Sequence, residues 1–229
     1  MKLRSLGQSG FIMTMRNGTV VMTDPWLSPS LLKGYTTPVD HRDIERCDVI
    51  LVSHAHIDHL DPGAFRLAKR LGSVFVGSRK AVGKAVKRGV ANAIEMAGGE
   101  EAEVAGVKIH AVPAFHPFAS DAVGFVVEGE KTVYFSGDTR YNEKLVRHLE
   151  KFRLDVALLQ IACSVYFFRK DGMDVGDASE LARRIKPGVA VPMHYHDRFR
   201  HPDPERFRAL VTGYGIHVDI FEPGEEKEY

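Results

Sequence analysis

Residues His54-Ala55-His56-Ile57-Asp58-His59 bring three imidazoles and a carboxylate into one short segment. Neutral imidazole nitrogen and carboxylate oxygen are ligands for zinc and similar divalent cations. On a turning loop, side chains at offsets of two and four point to opposite sides, so one segment can serve two adjacent ions. A merely solvated polar loop is the alternative, and three later segments argue against it. They are Ala114-Phe115-His116-Pro117, Phe135-Ser136-Gly137-Asp138-Thr139 and Val191-Pro192-Met193-His194-Tyr195-His196, each with a ligand-type side chain.

Every one of these segments closes an apolar run that reads as a strand: Asp48 to Ser53, Val107 to Pro113, Lys131 to Ser136 and Val189 to Met193. Loops leaving strand ends are where an α/β protein carries its chemistry, so all the ligand-type residues converge on one sheet edge. Further strands are expected at Leu3 to Leu6, Phe11 to Arg16 and Thr19 to Thr23, the last two joined by the hairpin signal Asn17-Gly18. A Ser-, Pro- and Gly-rich loop from Pro25 to Pro38 is expected to form a pocket wall. Pro62 opens a helix to about Leu71, where its missing N–H does no harm. Val74 to Gly77 reads as a strand and Ser78 to Arg88 as a basic amphipathic helix. Strands are expected again over Glu101 to Pro113, Ala122 to Glu128, Asp155 to Ile161 and His217 to Phe221. The remaining helices are predicted from Asn142 to Phe152, from Asp177 to about Lys186 with Glu180 completing a capping box, and from Asp203 to about Gly213. Strand-rich stretches with helices in each half fit two sheets packed face to face under outer helices, although periodicity alone does not separate this from other α/β folds.

Composition sets bounds. The 229 residues, 44% hydrophobic, suffice for one domain, 1–229, with a sizeable core, and the chain shows no repeat or linker. A formal charge of +1 gives no global basic field, so nucleic-acid binding would need a local patch and none is expected. Cys47 and Cys163 make no disulfide framework and suit a reducing cytoplasm. The N-terminus lacks a signal-peptide pattern, and no stretch approaches the roughly 18 apolar residues of a membrane span. A cytoplasmic protein without membrane contact is expected; its oligomeric state is not readable.

The His-x-His-x-Asp-His core, followed by a later His, Asp and His, resembles the metallo-β-lactamase fold superfamily over nearly the whole chain, Lys2 to about Glu222. Asp24-Pro25-Trp26-Leu27 and Pro192-Met193-His194-Tyr195 look closest to its small lactonase-like, metal-dependent hydrolase branch. The resemblance implies an α/β fold, a four-layer αββα sandwich. It implies that His54, His56 and His116 bind one metal, that Asp58, His59 and His194 bind a second, and that Asp138 bridges both. Two dications about 3.5–4 Å apart favour such an anionic bridge and bring a shared water toward ionisation near neutral pH. The implied reaction is attack of that bridging hydroxide on an ester, lactone, amide or phosphodiester of a small molecule, with Asp58, Asp138 and His194 as the catalytic set. Oxygen-reducing di-iron relatives carry Glu where this chain has His56. The imidazole-rich set therefore points to zinc, with manganese or iron as the other candidates. Leu159-Gln160-Ile161-Ala162-Cys163 replaces a Pro- and Gly-containing segment common in the branch, so lactonase activity does not transfer directly.

Other residues carry two readings each. Asp24 falls where the family places a carboxylate that orients a liganding imidazole; otherwise it is a turn residue before Pro25. Tyr195 either donates to substrate or packs as an aromatic, and His196 reads as a surface or supporting histidine. His41, His148 and His201 read as solvated; His110 and His217 read as structural. Cys163 reads as a small buried thiol near the pocket, and Ser136 and Thr139 as shaping the turn at Asp138. Arg198, Arg200, Arg206 and Arg208, with Arg169 and Lys170, form a basic cluster that either holds a phosphate or carboxylate of an anionic substrate or is a solvated face. Two further function classes stay open. One is a two-metal nuclease, against which the absence of a long basic arm counts; the other is a metal-binding module without turnover.

Overall fold

Side chains alternate strictly along the long strands, and both faces are apolar. Val49 and Leu51 join one buried cluster while Ile50 and Val52 join another, and Val133 and Phe135 separate from Tyr134 in the same way. A sheet apolar on both faces must be covered on both, which fixes the layering. The computed structural model describes residues 1–29, 37–166, 168–196 and 202–229.

In chain order, β1 (Lys2–Gly7), β2 (Gly10–Thr14), β3 (Val20–Thr23) and β4 (Val49–Val52) lead to α1 (Pro62–Leu71), β5 (Val74–Gly77), α2 (Arg79–Lys87) and β6 (Ala93–Glu95). Then come β7 (Glu101–Val104), β8 (Val107–Pro113), β9 (Val123–Glu128), β10 (Thr132–Phe135), α3 (Glu143–Leu149), β11 (Val156–Gln160), β12 (Val165–Tyr166) and β13 (Arg169–Lys170). The chain ends with α4 (Val175–Ile185), β14 (Val189–Met193), α5 (Pro204–Thr212), β15 (His217–Val218) and β16 (Glu226–Glu228). One sheet has the order β16-β1-β2-β3-β4-β5-β6 and the other β15-β14-β11-β10-β9-β8-β7; β12 and β13 form a separate hairpin.

The inner faces of the two sheets share one core, with Leu3, Met13, Val21 and Leu51 meeting Ile109, Phe125, Phe135 and Leu158. Outside the first sheet, Met22, Ile50 and Phe75 pack on Ala64, Leu67 and Ala81 of α1 and α2. Outside the second, Tyr134, Ala157 and Leu159 pack on Leu145, Leu181 and Phe207 of α3, α4 and α5. This is the expected αββα sandwich. Parallel pairing of β3-β4-β5-β6 and of β10-β11-β14-β15 turns the C-terminal ends of β4, β10 and β14 to the sheet edge where the ligand-type residues emerge.

The α1 boundaries match expectation, with the Asp61 carboxylate accepting from the Ala64 N–H. At α4 the expected cap is corrected. Asp174, not Asp177, is the N-cap: its carboxylate accepts from the Asp177 N–H at 2.9 Å, and Glu180 pairs with Arg183 instead of closing a box. Both aspartates fit a capping pattern, and the buried stripe settles the choice because it already includes Val175. α3 stops at Leu149 and Phe152 packs as a loop residue against the second outer cluster. Strands β6, β12, β13 and β16 are not among the expected ones; β16 is Glu-Lys-Glu, paired to β1 by its backbone and by the Lys2–Glu226 ion pair at 3.1 Å. Of the expected pocket wall over 25–38, residues 30–36 lie outside the described residues.

Candidate metal centre

The loop after β4 presents His54 and His56, and the loop after β8 presents His116. Ligand atoms of these three lie within 4.8 Å of one another. The outer nitrogens are committed. His116 Nδ1 donates to the Asp171 carbonyl at 2.6 Å. The Ser53 hydroxyl donates to Asp24, so Ser53 Oγ accepts from His54 Nδ1 at 2.9 Å. Both rings therefore turn an Nε2 lone pair inward, and both face His56 Nδ1, at 2.9 and 3.4 Å. Three nitrogen acceptors directed at one point repel unless a cation sits among them; one shared proton cannot satisfy all three.

The second group is Asp58, His59 and His194, again within 4.8 Å. His59 Nε2 faces His194 Nε2 at 3.2 Å. Asp138, on the loop after β10, lies against both, with its carboxylate oxygens 3.4 Å from His59 and 3.5 Å from His194. Its Oδ1 is buried and accepts no hydrogen bond. A buried carboxylate oxygen without a donor, beside inward-turned imidazoles, is what a divalent ion would satisfy. Gly137 makes this approach possible: with φ of +54°, it packs so tightly that a Cβ would lie 2.6 Å from Ser53 Cβ.

Asp24 is the buried support beneath both groups. It accepts from the Ser53 N–H at 2.7 Å, from the Ser53 hydroxyl, and from His59 Nδ1 at 2.7 Å. Asp24 could itself hold an ion with His54 and His59, but its oxygens already accept from Ser53 and His59, an arrangement compatible with the supporting role that the resemblance implies. Burial pushes the Asp24 carboxyl up, so the Asp24–His59 pair holds a proton over Nδ1. Burial opposes charge on His59 too, but Asp138 and Asp24 outweigh it and hold this imidazole well above its ordinary range. His54 goes the other way: burial, then the neighbouring His59, keep it well below. For Asp138, burial acts to raise the carboxyl, and His194 and His59 overcome it to hold it well below the carboxylate range.

Three non-glycine residues with positive φ gather here: Gln8 (49°), Asp24 (31°) and His194 (68°). Such conformations cost roughly 1–3 kcal/mol each and cluster where a site over-determines the backbone. The His194 N–H donates to the Gln8 carbonyl at 2.8 Å, and the Gln8 side-chain amide lies 3.3 Å from His194 Nδ1.

All seven expected ligand positions are thus brought together. Sequence reasoning missed Gln8, Ser53 and Asp171. A polar Gln inside the Gly7-Gln8-Ser9-Gly10 turn, between two apolar strands, was the available signal for the first. The Tyr195 hydroxyl donates to the Phe221 carbonyl, so that side chain packs and does not face a substrate. His196 is half-buried beside it. His110 contacts Glu128 and is structural, and His217 meets Asp219. His41 is less solvated than expected, lying against Asp40 and Arg66. Thr139 accepts from the Phe115 N–H and Ser136 from the Gln160 N–H, so both shape the turn. The expected basic cluster is partly neutralised: Lys170 pairs with Asp174 and Asp177, and Arg208 with Glu205. Arg206 and half-buried Cys163 line a cavity of about 640 Å³ that includes none of the ligand residues. Arg198, Arg200 and His201 lie outside the described residues. Among the described residues no helix is long and apolar enough to cross a membrane.

A family model described as a β-lactamase superfamily domain matches residues 19–195. The chain is 34% identical to a UPF0173 metal-dependent hydrolase of Methanopyrus kandleri, with 100% of both chains covered. Among solved structures it is similar to Igni18, a metallo hydrolase from the archaeon Ignicoccus hospitalis, at 27% identity and a TM-score of 0.81 over 100% of this chain and 98% of that one. It shares its fold with an isothiocyanate hydrolase from Delia radicum gut bacteria, at 18% identity and a TM-score of 0.82 over 100% and 99% of the two chains.

Proposed function

The chain belongs to the metallo-β-lactamase superfamily and is a metal-dependent hydrolase, and on that premise we propose that it works with two divalent ions. His54, His56 and His116 would hold one ion, Asp58, His59 and His194 the other, with Asp138 shared between them. The observation carrying this reading is the set of inward lone pairs: two imidazoles with their Nδ1 atoms committed outward, and a third turned to meet them.

The ions, when bound, supply Lewis acidity and bring water toward ionisation near neutral pH. The chain's own residues do the rest. Asp24 fixes the His59 ring and Ser53 the His54 ring. The Asp171 carbonyl fixes His116. Burial keeps His54 and His56 neutral and therefore ready to ligate. Imidazole with carboxylate suits zinc, with manganese and iron as alternatives. The reaction is hydrolysis of an ester, lactone, amide or phosphodiester bond, the reacting group being of small-molecule size.

Metal analysis of protein purified without chelator, with turnover measured on bis-p-nitrophenyl phosphate and a simple lactone, tests this. Two equivalents of metal and chelator-sensitive hydrolysis are expected. One equivalent or none, with no turnover after metal is restored, would remove the two-ion reading.

A further inference from the structure

The formal charge of +1 conceals a sharp asymmetry. Between Pro62 and Ile94 the chain has eight Lys and Arg residues and no Asp or Glu, leaving 23 cations against 30 carboxylates, a formal −7, on everything else. The eight are Arg66, Lys69, Arg70, Arg79, Lys80, Lys84, Lys87 and Arg88, and all are exposed. They lie on α1 and α2 and at the end of α2. The two helices are side by side: Arg88 sits over the Phe65 ring at 5.7 Å, and a Cβ on Gly89 would touch Lys69. Among the described residues only Lys80 has a carboxylate within ion-pair distance, Asp121 at 3.7 Å. Arg66 and Arg70 reach His41 and the Ile44 carbonyl, which uses their donors without cancelling their charge.

Lys69, Arg70, Lys84 and Lys87 suit the last turns of their helices, but folding does not call for the rest of the arrangement. Lys80, Lys84 and Arg88 are spaced four apart on one helix, where like charges repel. Arg79 and Lys80 occupy the first turn of α2, at the positive end of its dipole, and neither α1 nor α2 has an acidic residue in its first turn. Local rules broken together, with one carboxylate against eight cations, mark a surface kept for something outside the fold.

The face also runs to the metal centre. Lys84 Nζ donates at 2.6 Å to the carbonyl of Ala55, between the ligand residues His54 and His56. A groove of about 340 Å³, lined by Ile57, Phe65, Lys84, Lys87 and Arg88 among others, joins that loop to the helices. We infer that the α1–α2 face docks the phosphate backbone of a nucleic acid and leads it to the mouth of the metal centre. Nine or ten residues of helix span about 14–15 Å, and duplex DNA carries one charge per roughly 1.7 Å, so the charge densities match. An anionic bilayer fits less well, because Val86 is the only large apolar side chain these helices expose. The inference concerns docking and stands apart from which bond is cleaved.

The test uses the full chain in EDTA, so that its outcome is independent of the metal reading. Anisotropy is followed with labelled RNA and DNA of about 20 nucleotides, single-stranded and duplex, between about 50 and 200 mM KCl. Binding with a log–log salt slope of about −3 or steeper is expected. The triple variant Lys69→Glu/Arg79→Glu/Lys87→Glu should lower affinity by more than about tenfold, while Lys2→Glu/Lys108→Glu/Lys151→Glu, elsewhere on the chain, should change it by less than about threefold. Hydrolysis of a small neutral ester should be the same in both. Both variants should remain folded by thermal melting: relief of repulsion and the Arg79→Glu change at the start of α2 offset the loss of Lys69 and Lys87 from helix C-terminal turns. No binding at the lowest salt, or equal losses in the two variants, would overturn the proposal. So would preference for phosphatidylserine vesicles or poly-glutamate over nucleic acid.

Discussion

The two ligand groups lie side by side and are built on opposite electrostatic plans. His54, His56 and His116 are three imidazoles, the first two held below their ordinary range by burial and mutual repulsion, with a hydroxyl behind His54 and a backbone carbonyl behind His116. Asp58, His59 and His194 lie among carboxylates, with Asp138 against two of them and Asp24 beneath His59. The first is a site of lone pairs awaiting a cation. The second already carries positive charge, on His59, that a metal would have to replace. Two ions in such surroundings should differ in affinity, in proton balance and in what disturbs them.

In the two-ion reading proposed above Asp138 is shared by both ions, so its removal should have the largest effect. Asp138→Ala should lower turnover on the order of 10³-fold, since several kcal/mol of charge organisation disappear. Bound metal should fall from two equivalents to one, and melting of the metal-free protein should fall near neutral pH, because the Asp138 carboxylate also balances the buried charge of His59. Full turnover in that variant would remove the bridging assignment. Asp24→Ala comes next. It leaves the Ser53 N–H, the Ser53 hydroxyl and His59 Nδ1 buried without an acceptor, a loss of about 3–5 kcal/mol by denaturant unfolding. The milder Asp24→Asn should weaken the second ion by about 10–100-fold in a chelator competition while retaining the first. Loss of the first ion ahead of the second would invert the comparison.

What was legible in the sequence follows from how each residue enters the site. The four ligands after β4 are nearly consecutive, and His116, Asp138 and His194 each end an apolar run, so strand ends and residue types sufficed. The layered fold was legible for a similar reason: Val49 to Val52 and Val156 to Leu159 are apolar at every position, the mark of strands covered on both faces. Gln8 was not, because it reaches His194 only after β1 and β2 fold back, 186 positions away in sequence. Asp171 acts through its backbone carbonyl, which carries no side-chain signature. The basic face was legible only in part: Ser78 to Arg88 reads as a basic amphipathic helix, but that Arg66, Lys69 and Arg70 join it depends on how α1 and α2 pack, and the eight cations vanish into a net charge of +1. Charged β16 has no apolar alternation to announce it.

Proton balance sharpens the contrast without any mutation. His54 and His56 are held below their ordinary range, chiefly by burial, so near neutral pH they bind metal without giving up a proton. His59 is held above that range by Asp138 and Asp24, against the effect of burial, so metal at its Nε2 must displace one. Calorimetric titration in buffers of different ionisation enthalpy should find about one proton released, at the second site alone. Affinity there should rise about tenfold per pH unit until pH passes the raised His59 value, then level. In the metal-free protein, the stability from the His59 contacts is fully present below the unfolded imidazole range near 6.5 and is lost as pH climbs through the folded value. His54 has the opposite sign: the unfolded state takes up its proton first, so stability falls as pH drops below about 6.5. Equal proton release at both sites would erase the difference in plan.

The smallest effects come from the outer partners, and they decide whether the two groups are separable at all. Gln8→Leu removes the amide against His194 while keeping a side chain of similar reach, and should weaken the second ion by about tenfold. Asp171→Ala keeps the carbonyl that receives His116 Nδ1 but loses the 2.6 Å bond from the Ser164 N–H to its carboxylate, which pins the β12–β13 hairpin. One such hydrogen bond is worth about 1 kcal/mol, so the first ion should weaken by about fivefold. Each variant should leave the other ion unchanged, and the double variant should show the two losses side by side, since Gln8 acts on the His194 ring and Asp171 on the His116 ring. If either substitution loosens both ions equally, Asp138 couples the groups so tightly that they form one four-histidine, two-carboxylate unit plus His116. The contrast between a neutral and a charged half would then describe only the metal-free protein.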